Sequence, residues 1–131
     1  MLEKVFKRLK DLGVVSGNEP STQDGFLLEF AIDKVTKHIQ HQTNLDYVPE
    51  GLSTVAVDMV VGEFLFTKKA MGLLSVESLN FEAIVKQVQD GDTNIAYAVE
   101  HKDSPEAAFD RFVHYLQHNE VDFVRYRVFT W

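Results

Sequence analysis

The chain contains no cysteine. That removes disulfides, thiol nucleophiles and Cys-ligated zinc together. Proline is scarce, at three residues, and 45% of the chain is hydrophobic against 25% charged. Such a balance excludes a disordered or low-complexity polymer. Basic charge is in deficit: 13 Lys and Arg face 20 Asp and Glu, a net charge of −7. General nucleic-acid affinity is driven by neutralising phosphates, so this sign argues against it. Long apolar runs are missing as well. The longest, VAVDMVVGEFLF at 55–66, is interrupted by Asp58 and Glu63, and it falls short of the ~20 residues a membrane span requires. The opening MLEKVFKRLKDL has no apolar signal-peptide core, so the expected compartment is the cytoplasm.

What is present suits a single domain over residues 1–131. A chain of this length buries roughly two-thirds of its unfolded surface, and needs no staple to fold. Its charge is uneven. Six acids (Asp90, Asp92, Glu100, Asp103, Glu106 and Asp110) accompany one base, Lys102, between 90 and 110. The first twelve residues instead hold Lys4, Lys7, Arg8 and Lys10 against Glu3 and Asp11. One molecule with a basic end and an acidic segment suits head-to-tail or ring packing; a solvated surface is the plainer meaning.

Hydrophobic spacing predicts four helices. The first covers 2–12, with Leu2, Val5, Phe6, Leu9 and Leu12 on one face and Gly13 as its stop. The second is capped by Ser21, with Asp24 completing an acidic capping box. It runs to about Gln42 on an inner stripe of Leu28, Ala31, Ile32, Val35 and Ile39. The third, about 50–71, has Pro49 at its first turn and Gly72 at its end. It is apolar nearly all round, as a central buried helix is. The fourth opens at SPEAAF, with Ser104 as N-cap and Pro105 at the first helical position. Between the last two, Ile84 and Val88, then Ile95, Tyr97 and Val99, alternate on either side of DGDTN, which predicts a hairpin. The expected fold is mainly α: a small bundle of four or five helices with one β-hairpin or extended arm near residues 84–99.

DGDTN invites a calcium reading. Counted from Asp90, Asp92 and Asn94 occupy ligand positions of an EF loop. The glycine position, however, holds Ile95, the glutamate position holds His101, and Glu100 misses by one residue. The flanks are strand-like where the motif needs helices, so the stretch reads as a turn. Histidines pair on two helices, His38 with His41 and His114 with His118. HYLQH has no internal glutamate and no third ligand follows, so surface histidines are the plainer reading. Asp58 and Glu63 lie in the most apolar helix. A buried carboxylate must find a partner, so they read as an edge of that helix facing solvent or a neighbouring subunit, with an acid–base pair as the sharper alternative. No Gly-rich phosphate loop, GxSxG or thiol nucleophile is present. The expectation is no enzyme, no metal and no cofactor.

The segment EVDFVRYRVFTW gathers Phe123, Tyr126, Phe129 and Trp131 with Arg125 and Arg127. Tyr, Trp and Arg are enriched where proteins bind one another strongly. Packing of the segment back onto the bundle is the plainer alternative, and the two are compatible.

Taken in order, TN…VPEGLSTVAVDMVVGEFLF after an amphipathic helix, then a GDT-containing hairpin, then a final helix leading to RYR…W, resemble the head–tail connector (adaptor) proteins of tailed bacteriophages, most closely their prophage-encoded Bacillus members. The resemblance spans about residue 20 to Trp131. It implies a helical subunit of a ring, typically twelve-fold, assembled on the portal protein at the capsid vertex. Such a ring extends the DNA channel and docks the next connector or tail-completion protein. Asp90, Gly91, Asp92 and Thr93 match the family's GDT loop, implying a contact with neighbouring subunits or the channel. Arg125, Tyr126, Arg127, Phe129 and Trp131 fall in its C-terminal segment, implying the portal contact. The acid-rich spacer 100–105 departs from the pattern. DNA would pass without sequence-specific binding and no membrane is involved; the implied locations are the host cytoplasm and the assembled virion. An alternative is a small cytoplasmic interaction or regulatory module that binds one partner through the aromatic tail. A metal-dependent enzyme using His114 and His118, or Asp90 and Asp92, is the third.

Overall fold

The helix that is apolar on every side is the hub around which the others pack. In the computed structural model, which describes residues 2–15, 17, 19–74, 86 and 104–117, the chain is mainly helical. Helix α1 spans Leu2–Asp11 and α2 spans Thr22–Thr43. A single 3-10 turn, Glu50–Leu52, leads into α3, Ser53–Ala70. Helix α4 spans Pro105–Gln117. Helix α3 packs against each of the other three. Its buried residues run without a break from Val55 to Gly62 and resume at Phe64 and Leu65.

The other helices each present one stripe to that hub. Val5, Phe6 and Leu9 face inward from α1, while Lys4, Lys7 and Lys10 stay exposed. Helix α2 contributes Leu28, Ala31, Val35 and Ile39, and α4 contributes Ala108, Phe109, Phe112, Val113 and Leu116. Ile32, expected on the inner stripe of α2, packs partly buried at its margin.

Local chemistry sets the boundaries. Ser21 accepts a hydrogen bond from the Asp24 amide at 3.2 Å, and Ser104 accepts one from the Ala107 amide at 3.1 Å. Both satisfy amides that a helix start leaves unpaired. Helices α1 and α3 end in the same way. Gly13 and Gly72 adopt positive φ, 79° and 73°. The amides of Val14 and Leu73 then donate back to the carbonyls of Leu9 and Lys68 at 3.1 and 2.9 Å. Only a residue tolerant of the left-handed region closes a helix like this. Helix α2 uses Asn44 instead, at φ 57°.

Two boundaries differ from expectation. Pro49 precedes a 3-10 turn rather than the first α turn, and the α-helix begins at Ser53. Proline accommodates either start because it has no amide hydrogen to place. The hairpin expected near 84–99 lies outside the described residues.

Candidate functional site

The two acids that interrupt the apolar run of α3 differ: Asp58 is buried inside the bundle, whereas Glu63 sits partly exposed at a groove edge. Asp58 is only 8% exposed. Its carboxylate accepts a hydrogen bond from the Arg8 guanidinium of α1. Burial lowers the pKa of Arg8, and the Tyr115 phenol on α4 acts in the opposite direction. Glu63, one and a half turns further on, accepts from Lys34 of α2 at 2.7 Å and from the Gln117 amide of α4 at 3.1 Å. They do not form an acid–base pair. Each carboxylate is a tether between helices, because a charge on a buried helix persists only where a partner reaches it.

Two further pairs continue the pattern at the other end of α3. Lys68 donates to Asp24 of α2 at 2.8 Å, with both side chains largely buried. Asp24 thereby serves α2 twice, as a capped amide and as a cross-helix acceptor. Lys69 donates to Asp110 of α4 at 3.0 Å and lies 5.1 Å from the centre of the Phe109 ring. These pairs fix direction: the start of α2 meets the end of α3, so the two helices run antiparallel.

They also divide the circumference of α3. Lys68 points to α2, Lys69 to α4 and Asp58 to α1, while Glu63 sits between α2 and α4. The strip running through Met59, Glu63, Phe66 and Ala70 therefore faces away from α1, at the helical spacing of three and four residues. Two grooves that share Gln117 lie along it. One, of about 500 Å³, is lined by Lys34, Val35, Lys37, His38, His41 and Met59, with Glu63 and Gln117. The other, of about 490 Å³, is lined by Phe66, Ala70, Phe109, Val113 and His114, by the paired Lys69 and Asp110, and again by Gln117. Phe66 is 55% exposed at the rim of the second. Phe30, one turn before Lys34 on α2, is 65% exposed.

Gly62 allows α4 to lie close beside this strip. A Cβ there would come within 2.9 Å of Leu116 Cβ and 3.0 Å of Gln117 Cγ. The sequence held no sign of this role, since glycine inside a helix reads only as a weak position.

Of the histidines, His38 and His41 line the same groove, from α2. His114 lines the adjoining one, and His118 lies outside the described residues. Among the described residues no group of three or more His, Asp or Glu is placed to hold a metal ion. The loop residues Asp90, Gly91, Asp92 and Thr93, and Arg125, Tyr126, Arg127, Phe129 and Trp131, also lie outside the described residues. No helix among the described residues is long and apolar enough to cross a membrane. Compared with protein-family models, curated proteins and solved structures, the chain matches none.

Proposed function

We propose that this protein is a structural subunit of a bacteriophage or prophage head–tail connector, forming a ring on the portal protein and carrying the docking surface for the next connector or tail component. The observation that carries the reading is the order of motifs from TN…VPEGLSTVAVDMVVGEFLF through GDT to RYR…W, which resembles that family along most of the chain. The architecture is compatible with a building part. One buried helix is tied by ion pairs to α1, α2 and α4, giving a block suited to repetition around an axis. The net charge of −7 suits a conduit, because a basic wall would retain phosphates instead of letting them pass. In this reading Asp90, Gly91, Asp92 and Thr93 meet the channel or a neighbouring subunit. Arg125, Tyr126, Arg127, Phe129 and Trp131 meet the portal.

The test is to mix the purified protein with the portal protein of the same phage or prophage and image the product by electron microscopy. The expected result is an added ring with the portal's symmetry. A bare portal beside a monomeric protein would overturn the proposal and favour a module with a single partner.

A further inference from the structure

The outer face of α1 has a charge opposite to that of the whole chain, whose net charge is −7. Lys4, Lys7 and Lys10 are all exposed there. Among the described residues, none of the three has an ion-pair or hydrogen-bond partner. Lys34, Lys37, Lys68 and Lys69 differ, since each meets a carboxylate. Between α1 and the start of α3 lies a cleft of about 240 Å³, lined by Lys4, Lys7, Arg8, Thr54 and Val57.

Each lining residue has a definite part. Arg8 donates to the buried Asp58, which fixes its guanidinium and offsets its charge. Lys4 and Lys7, one turn apart on α1, are then the uncompensated charges of the cleft. Asp11, one turn beyond Lys7, pairs with neither of them. Thr54 brings an exposed hydroxyl, and Val57, buried, is the apolar floor. Sites for drug-sized molecules occupy about 300–1,000 Å³, so this cleft suits a smaller group. Ammonium groups donate and cannot accept, so the group is an oxyanion. Two of them balance a dianion, and lysine binds phosphate as a point charge.

We propose that the cleft between α1 and the first turns of α3 binds a compact phosphate group, held by Lys4 and Lys7, with the Thr54 hydroxyl donating to it. The inference stands independently of the connector reading. A free phosphate compound and a nucleic-acid backbone both carry such a group, and the test separates them.

The full chain is dialysed to equilibrium against radiolabelled pyrophosphate in about 0.15 M salt, where charges more than about 8 Å apart are largely screened. Three variants accompany the parent: Lys4→Gln with Lys7→Gln, Lys10→Gln with Lys37→Gln, and Thr54→Val. The second removes the same charge from positions outside the cleft. Circular dichroism confirms that each variant retains its helices. The expected result is one pyrophosphate bound per chain. Loss of Lys4 and Lys7 should weaken binding at least about tenfold, because two charge-assisted contacts are removed. Thr54→Val should weaken it about threefold, and the control pair less than about twofold. Displacement of the pyrophosphate by a short duplex DNA assigns the phosphate to a nucleic-acid backbone; failure of the duplex to displace it assigns a free phosphate compound. Absence of bound pyrophosphate overturns the proposal. Equal weakening by the two lysine pairs also overturns it, because diffuse charge and not a site would then be responsible.

Discussion

The two sides of α3 use the same helix for opposite purposes. Toward α1 it offers Asp58, buried and paired with the part-buried Arg8, among closely packed valines. Toward the grooves it offers Glu63, paired with an exposed Lys34, beside a half-exposed phenylalanine. Chemically similar ion pairs therefore differ in environment, and environment decides what a pair is worth. An exposed pair is screened by water and salt, contributing little, whereas removing one partner of a buried pair strands a charge.

The largest effect should come from the buried side. Asp58→Ala leaves Arg8 part-buried without its carboxylate, and should lower the unfolding free energy by about 3–5 kcal/mol in urea titration. The double variant Arg8→Met, Asp58→Leu should recover most of that loss, since an apolar pair of similar volume needs no compensation. If Asp58→Ala costs no more than a surface pair, the contrast between the two sides collapses.

Gly62 gives an intermediate test. Alanine gains about 1 kcal/mol of helix propensity. Against this, its Cβ would overlap Leu116 Cβ on α4, and overpacking typically costs about 1–3 kcal/mol. The clash involves an atom next to the α4 backbone, not the tip of a flexible side chain, so a net loss of about 1 kcal/mol is expected in the same titration. A more stable Gly62→Ala would show that α4 moves aside easily.

The smallest effect belongs to the groove side. Lys34→Ala removes the exposed partner of Glu63, while Gln117 still donates to that carboxylate. The expected loss is about 0.2–1 kcal/mol, measured by thermal melting, and the difference from the parent should shrink in about 1 M salt. A loss as large as that of Asp58→Ala would mean that the grooves are as dry as the core.

Much of this arrangement was legible in the residues. Ser21 and Ser104 announced helix starts because a hydroxyl acceptor is what unpaired amides require. Gly13 and Gly72 announced helix stops. Apolar residues on nearly every side between Val55 and Phe66 announced a central helix, and it is the hub. Asp58 was misread as an edge, because a sequence shows that a charge lies in an apolar helix without showing its partner; Glu63 does border a groove. Arg8 lies fifty positions from Asp58, and Gln117 lies fifty-four from Glu63. Nothing in local spacing links them.

By itself the sequence determined what depends on neighbours along the chain: the helices, their caps, their inner stripes and the burial of α3. Those follow from backbone hydrogen bonding and from a periodicity of 3.6 residues, both local properties. Only the tertiary structure decided which acid meets which base, why Gly62 must be small, and which side of α3 borders the grooves among the described residues. Those depend on where separate helices cross, which is set by the packing of all their side chains at once.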